Sequence, residues 1–218
     1  MADIALQRKN MVESQVRPSD VTDRRIMAAM TDLARERFVP DALQALAYME
    51  EDLPLAAGRA MLAPRTLARL IQLCEVESRD KVLIAGALTG YSAALLAQLA
   101  GPIVALECDA GLAKTAEATL RQLAVATVKI AAGPLAQGYA ADAPYDVILI
   151  EGAIELLPDS LTDQLAPGGR LVAVEIANGV GRAIVVRKGT SGGLARRVAF
   201  EASAGLLAGF ERPKSFVF

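Results

Sequence analysis

The first third of the chain carries hydrophobic residues at helical spacing. Ile26, Met27 and Met30 fall on one face of a helix, and Thr22 stands where its side chain can cap the start of that helix. Pro40 cannot continue a helix and therefore marks its end. The region is predicted to contain that helix, a second helix beginning at Asp41, a loop over residues 56–64 and a third helix over residues 66–74.

From Lys81 onwards, short apolar runs alternate with helical segments. Runs such as residues 82–85 are typical of strands that are buried on both faces. This alternation predicts right-handed βαβ units, so we expect an α/β, Rossmann-like fold with a mostly parallel sheet and helices on both faces. The predicted strands are 82–85, 103–107, 128–130, 145–150 and 170–174, with 183–187 and 215–218 as an antiparallel edge, and the predicted helices are 92–99, 111–123 and 156–165.

One domain is expected over residues 1–218. Residues 1–75 would form an N-terminal helical portion packed onto the sheet, and residues 76–218 a Rossmann-like core with C-terminal edge strands. Residues 82–106 carry no charge and are long enough to cross a bilayer, but their glycines and proline favour strand, turn, helix, turn and strand. The first ten residues lack the apolar region of a signal peptide, so we expect a cytoplasmic protein without a membrane span.

Composition narrows the chemistry. The net charge is −2 and aromatic residues make up 4%, so no nucleic-acid partner is expected. The chain has no histidine, which excludes Ser-His-Asp and Cys-His catalysis and histidine-bound metals. Cys74 and Cys108 lie far apart in apolar stretches, and we expect both to be buried, reduced thiols.

Two glycines and an acidic residue follow the first two predicted strands of the core. Gly86 and Gly90 enclose the turn into a helix, where glycine allows a close backbone approach and a helix N-terminus favours an anion. Glu107 ends the next strand, at the offset where an acidic group receives ribose hydroxyls. Nucleoside binding is the favoured interpretation. The alternative is a plain tight turn with Glu107 as a solvated loop charge.

Four further charged residues are candidates for the site. Arg59 has the right chemistry to bind a substrate carboxylate, but a solvated loop arginine is the favoured interpretation. Glu151 ends a strand on the ligand side, where a site role and a solvated position are equally favoured. Glu175 is either a rim carboxylate or solvated, and Asp146 is expected on the far face.

Several segments together resemble the protein-L-isoaspartate O-methyltransferases. The resemblance covers most of the chain, and its N-terminal segments are specific to that family. The matching segments are Met11-Val12-Glu13-Ser14-Gln15-Val16-Arg17, Arg35-Glu36-Arg37-Phe38-Val39-Pro40, Ala47-Tyr48, Asp52-Leu53-Pro54-Leu55, the motif with Gly86, Gly90 and Tyr91, Ala143-Pro144-Tyr145-Asp146, and Leu165-Ala166-Pro167-Gly168-Gly169-Arg170-Leu171-Val172.

The resemblance implies a Rossmann-like class I methyltransferase fold. It also implies an enzyme that uses S-adenosylmethionine to methylate isoaspartyl carboxylates in damaged proteins, so that a protein or peptide is the substrate. Carried over residue by residue, the cofactor would be bound by Ala85, Gly86, Ala87, Gly90, Tyr91, Glu107 and Gly133.

The chain departs from the family pattern at the substrate loop and around the cofactor. The two hydroxyl residues that help to position the isoaspartyl group in the family are Ala60 and Leu62 here, so no residue is assigned a catalytic role. The acidic residue before the glycine motif is Ile84, and the acidic residue after the third strand is Pro134. The middle glycine is Leu88, whose side chain is expected to point into the pocket.

Two hypotheses of different class follow. The first is a protein-L-isoaspartate O-methyltransferase, as the resemblance implies. The second is a catalytically inactive homologue that keeps the fold as a binding or assembly module, which the residues at the departing positions favour. The apolar segment 205–210 is expected to pack on the core, with a homodimer surface as the alternative.

Overall fold

The computed structural model describes residues 3–213. Helices and strands alternate from residue 82 to residue 177, as the apolar runs predict. The α-helices are α1 (Ile4–Met11), α2 (Arg24–Asp32), α3 (Pro64–Leu73), α4 (Tyr91–Leu96), α5 (Ala110–Gln122) and α6 (Asp159–Asp163). The strands are β1 (Leu53–Ala56), β2 (Arg59–Met61), β3 (Val82–Ala85), β4 (Ile103–Glu107), β5 (Val128–Ala132), β6 (Tyr145–Ile154), β7 (Leu165–Ala177), β8 (Val180–Lys188) and β9 (Leu194–Glu201).

A seven-stranded sheet with the order β5-β4-β3-β6-β7-β8-β9 forms the centre of the fold. The strands from β5 to β7 are parallel, and β8 and β9 add an antiparallel edge. Strand β3 pairs with β4 on one side and β6 on the other, so that Ala85 lies opposite Leu106 and Ile150. The predicted Rossmann-like α/β fold with a mostly parallel sheet is confirmed.

Both faces of the sheet are buried. Successive residues of a strand point to opposite faces, and in β3 the side chains of Val82 and Ile84 join one hydrophobic cluster while those of Leu83 and Ala85 join another. The first cluster also includes apolar residues of α1, α2 and α3, so it carries the N-terminal helices. Covering both faces with helices explains why the parallel strands are continuous apolar runs.

Buried polar contacts hold the N-terminal portion together and join it to the core at the glycine turn. Arg35 is fully enclosed, and its guanidinium donates hydrogen bonds to the carbonyl oxygens of Ala47 and Leu62, both at 2.7 Å. The hydroxyl of Thr89, in the glycine turn, donates to the carbonyl oxygen of Phe38 at 2.6 Å. The arginine and phenylalanine of the family-like segment 35–40 therefore have structural roles in this chain.

The structure corrects three details of the prediction for the N-terminal portion. Asp23, and not Thr22, caps α2, because its carboxylate accepts the N–H of Arg25 at 2.8 Å. The segment that begins at Asp41 is a 3₁₀ helix without a side-chain cap, so the predicted cap is wrong. Residues 56–64 do not form a plain loop, because they contain the turn and second strand of the β1–β2 hairpin.

The C-terminal edge also differs from the prediction. Strand β8 pairs with β7 on one side and with β9 on the other. The sequence pattern did not predict β9, and residues 189–193 form the turn that leads to it. The strand predicted at residues 215–218 lies outside the described residues. The uncharged run 82–106 folds as β3, α4 and β4, as expected. Within residues 3–213, no helix is both long enough and apolar enough to cross a membrane.

Candidate functional site

The carboxyl ends of β3, β4 and β5 meet at one edge of the sheet. The N–H groups of Gly86 and Ala87 both donate to the carbonyl oxygen of Leu106, at 2.9 and 3.2 Å. The N–H of Gly133 donates to the carbonyl oxygen of Glu107 at 3.1 Å. The residues predicted as a nucleoside site are therefore brought together, as expected for parallel strands in a doubly wound sheet.

Left-handed backbone conformations shape the turn between β3 and α4. Gly86 and Gly90 have φ angles of +94° and +92°, which glycine adopts without steric cost. Leu88 has a φ of +51°, which is unusual for a branched residue. Its side chain is buried in the first hydrophobic cluster, and its backbone N–H points at the Glu107 carboxylate.

Glu107 is almost completely enclosed, with 1% of its surface exposed. Its Oε1 accepts hydrogen bonds from Nη1 of Arg59 at 2.5 Å and from the N–H groups of Cys108 and Asp109 at 2.9 and 3.0 Å. Its Oε2 accepts Nη2 of Arg59 and the N–H of Leu88, both at 2.8 Å. The alternative of a solvated loop charge is therefore wrong for Glu107, because protein donors surround both oxygens.

Arg59 supplies the counter-charge from the first position of β2. It follows Gly58, whose φ of +67° makes the hairpin turn, and its side chain is 8% exposed. The favoured interpretation of Arg59 as a solvated arginine is wrong. Burial opposes the charge on its guanidinium, but the hydrogen bonds and attraction of Glu107 outweigh that effect and raise the Arg59 pKa.

Protein atoms occupy the space beside Gly86. A methyl group built onto this glycine would lie 3.2 Å from Nη2 of Arg59, 3.3 Å from the carbonyl oxygen of Glu151 and 3.5 Å from Cδ1 of Leu207. Backbone that must approach a ligand closely is therefore already in contact with other atoms of the chain.

The thiol of Cys108 lies 3.4 Å from Nη1 of Arg59. Cys108 is exposed, contrary to the expectation that both cysteines are buried.

The segment after β9 closes the same edge from the other side. The N–H of Ala153 donates to the carbonyl oxygen of Gly205 at 2.8 Å, and that of Leu207 donates back to Ala153 at 2.9 Å. Leu207 and Phe210 are buried, so the prediction that this segment packs on the core is confirmed at both positions. A methyl group built onto Gly152 would lie 2.6 Å from Cγ of Leu207, so a bare backbone is needed beneath that side chain.

Glu151 lies inside the protein, in the buried second half of β6. Its carboxyl group is hydrogen-bonded to the hydroxyl of Ser92. Burial raises the Glu151 pKa to about 7, even though that hydrogen bond and the charges of Arg59 and Arg35 act in the opposite direction. Of its two interpretations, the solvated one is wrong, and the buried carboxyl group lies next to the candidate site.

The remaining predicted residues have other surroundings. Tyr91 packs against the ring of Phe38 at 5.4 Å between centroids and lies under the guanidinium of Arg35 at 4.9 Å, so its side chain is part of the first hydrophobic cluster. The two positions without hydroxyls in the family-like loop lie on and just after β2, and the second of them, Leu62, is buried.

Glu175 and Asp146 both bind other parts of the chain and do not belong to the site. Glu175 forms an ion pair with Arg196 of β9. Asp146 accepts the N–H of Lys81 at 2.8 Å at the opposite end of the sheet, as expected for a residue at the start of a strand.

The sequence pattern missed the roles of Arg59 and Leu207. They lie 48 positions before and 100 positions after Glu107, so neither helical nor strand periodicity connects them with it. A chemical argument could have identified Arg59. A glutamate at the end of a buried strand needs a cation or a set of donors, and Arg59 is an arginine beside a turn glycine in the loop that faces the same edge.

Comparison with known proteins agrees with this architecture. A solved protein-L-isoaspartate O-methyltransferase superposes with a TM-score of 0.82 at 21% identity and covers 93% of this chain and 66% of that one. A solved protein from Plasmodium falciparum, described as a putative protein-L-isoaspartate O-methyltransferase in complex with S-adenosyl-L-homocysteine, superposes with a TM-score of 0.77 at 17% identity, covering 92% and 97% of the two chains. At these identities, the likeness shows the fold.

Sequence relatives establish the family. A protein-L-isoaspartate O-methyltransferase of Methanoculleus marisnigri is 39% identical over 167 residues, which are 77% of this chain and 76% of the relative. One from Gloeobacter violaceus is 34% identical over 190 residues, which are 87% and 93% of the two chains. The family model for protein-L-isoaspartate(D-aspartate) O-methyltransferase matches residues 6–199. The chain belongs to the protein-L-isoaspartate(D-aspartate) O-methyltransferase family.

Proposed function

We propose that this protein transfers a methyl group from S-adenosylmethionine to isoaspartyl carboxylates in damaged proteins or peptides. The observation that carries the proposal is the family match over residues 6–199, on a sheet whose strand ends bring the Gly86 turn and Glu107 together. The methyl group of a sulfonium is already activated, so positioning supplies most of the catalysis. The absence of histidine is therefore compatible with this reaction.

The site conformation described above does not fit the cofactor. Both oxygens of Glu107 are taken up by protein donors, and Nη2 of Arg59 lies against Gly86. Ribose hydroxyls have no free acceptor at Glu107 while Arg59 remains there. The proposed activity therefore requires a second conformation in which Arg59 has left the carboxylate.

The two loop positions that carry hydroxyl groups in the family pattern carry none in this chain. Ala60 and Leu62 offer no polar atom of their side chains to an isoaspartyl group, so no side chain there is assigned a catalytic role. We infer that the cofactor residues in this family member are the backbone of residues 85–87, Gly90 and Gly133, together with the side chain of Glu107. Tyr91 contributes packing in this proposal, because its ring lies in the hydrophobic cluster.

The test is a methyl-transfer assay with a peptide that contains one isoaspartyl residue. Release of S-adenosylhomocysteine should depend on that residue, and the same peptide with an ordinary aspartate serves as the control substrate. Glu107→Gln should lower turnover, because it removes the carboxylate that receives the ribose hydroxyls. No release above the aspartyl control at saturating protein would refute the proposal.

A catalytically inactive binding or assembly module is the second candidate function. The observation that favours it is the buried Arg59–Glu107 ion pair, which completes the site without any ligand. Titration calorimetry separates the two candidates. Heat of binding for S-adenosylhomocysteine at micromolar concentration supports the enzyme, and no heat at millimolar concentration supports the module.

The organisation of the chain is part of the proposal. We infer that residues 1–75 and 76–218 act as one domain, and the hydrogen bond from Thr89 to Phe38 and the packing of the Arg35 guanidinium over the Tyr91 ring support this. A cytoplasmic location, a homodimer and the lack of a nucleic-acid partner stay predictions.

A further inference from the structure

The guanidinium of Arg59 presents to Glu107 the same pattern of donors that a ribose would present. A ribose offers two adjacent hydroxyl groups to the carboxylate at the end of the second strand. Arg59 offers two parallel N–H groups to the two oxygens of that carboxylate, at 2.5 and 2.8 Å. A planar fork of this kind is the geometry that binds carboxylates best.

The acceptor capacity of Glu107 is used up in this arrangement. A carboxylate has about four lone-pair positions, and Glu107 accepts five N–H groups, two from Arg59 and three from the backbone. The three backbone donors belong to the turns themselves and stay in place. Only the two arginine contacts can be exchanged for those of a ligand.

The position of Arg59 also blocks the approach to the glycine turn. Its Nη2 lies within 3.2 Å of a methyl group built onto Gly86, so the arginine fills the side of the turn on which a ligand would lie. Arg59 has a route out of the site, because Ala57 and Gly58 in the adjacent hairpin turn are exposed. Displacement of Arg59 requires its side chain to rotate towards solvent at this turn.

We propose that Arg59 is an internal competitor for Glu107, a latch that a ribose-bearing ligand must displace before it can bind. This inference rests on the proposed function in naming S-adenosylmethionine as that ligand. It adds a regulatory element to the site, since anything that draws Arg59 away from Glu107 increases the affinity for the cofactor. The apparent dissociation constant is the intrinsic one divided by the fraction of open molecules.

Titration calorimetry with S-adenosylhomocysteine tests the latch on the full chain. Arg59→Ala should bind at least tenfold more tightly than the wild type, which is about 1.4 kcal/mol. Arg59→Lys should lie between them, because an ammonium group cannot form the two-pronged contact. The matched control is Arg65→Ala, which removes an exposed arginine paired with Glu50 and should bind as the wild type does.

The variant Glu107→Gln distinguishes the effect of the carboxylate from the effect of the space that Arg59 occupies. This variant also releases Arg59 but removes the group for which the two compete, so it should gain no affinity. Affinity equal to that of Arg59→Ala would show that space alone controls binding, and it would overturn the proposal. Thermal melting with and without the ligand establishes that each variant is folded, and Arg59→Gln replaces the alanine variant if the latter melts below the assay temperature.

The outcomes for Arg59 and for the proposed function are distinguishable. Equal affinity of the wild type and Arg59→Ala overturns the latch, whether or not the isoaspartyl peptide is methylated. The same holds if neither binds. A tenfold gain without methylation of the peptide supports the latch and removes the proposed enzymatic function. A tenfold gain with methylation by both proteins supports both.

Discussion

The buried carboxyl group of Glu151 should make the stability of this protein fall as the pH rises through neutrality. The Glu151 pKa is raised to about 7 by burial, against an ordinary value of 4.5. The folded chain therefore binds this proton more tightly than the unfolded chain does. Its contribution to stability is fully present below pH 4.5 and is lost as the pH rises through about 7.

The size of the effect follows from the two pKa values. A tenfold difference in proton affinity corresponds to about 1.4 kcal/mol, so the whole contribution is about 3 kcal/mol. Between pH 5.5 and pH 8, about 2 kcal/mol of this should be lost. The window is favourable for measurement because the chain has no histidine, the side chain that usually titrates there.

Urea denaturation at intervals between pH 5.5 and pH 8 measures the slope. In the variant Glu151→Gln the group is neutral at every pH, so its profile should be flatter and the variant should be the more stable protein at pH 8, by about 3 kcal/mol. The control is Glu117→Gln on the exposed side of α5, which should leave the slope unchanged. A wild-type profile without a slope, or an unchanged slope in Glu151→Gln, would refute the reasoning.

Three further variants and reactions test the packing around the site. Gly152→Ala should destabilise the fold by about 1–3 kcal/mol in urea denaturation, because the new methyl group would overlap Leu207 at 2.6 Å; no loss would show that Leu207 can move aside. Arg35→Ala should destabilise the fold by about 2–6 kcal/mol, since it leaves two buried carbonyl oxygens without their donor at about 1–3 kcal/mol each, and a loss below about 1 kcal/mol would contradict that. A thiol reagent at pH 8 should modify Cys108 in the folded protein and leave Cys74 untouched until the chain unfolds, because Cys74 is buried and its pKa is raised to about 12 by that burial.

The parallel core of this protein was predictable because its strands are buried on both faces. The run at residues 82–85 matches β3 at both ends, since each of its residues is fully buried and therefore apolar. Strand β9 escaped prediction for the opposite reason. Most of its residues are exposed, with two arginines at its centre, so it shows no alternation of buried and exposed residues. The β1–β2 hairpin escaped because its strands have only four and three residues and include Pro54.

The sequence predicted several residues of the candidate site. It did not predict that other side chains of the same chain occupy that site. Gly86 and Glu107 could be placed at one edge from the alternation of strands and helices, because parallel strands end on the same side of a sheet. The place of Gly133 followed from the family resemblance. That Arg59 enters this edge depends on where the hairpin packs, which no local pattern encodes. The same holds for Leu207, whose position depends on how the segment after β9 returns to β6.

The charges at this edge of the sheet are balanced by groups of the chain itself. Glu107 is buried, and a buried carboxylate without partners is expensive, so the chain must provide either a ligand or a cation. Arg59 provides the cation, in the loop where the hydroxyl groups of the family pattern are also absent. Among residues 3–213, no cation lies at hydrogen-bonding distance of Glu151, and its raised pKa allows the carboxyl group to be neutral near pH 7. The closed site thus satisfies its charges internally. A ligand that opens it must replace the contacts of Arg59 with contacts at least as good, and for that reason affinity at Glu107, more than the fold around it, decides whether this family member is an active enzyme.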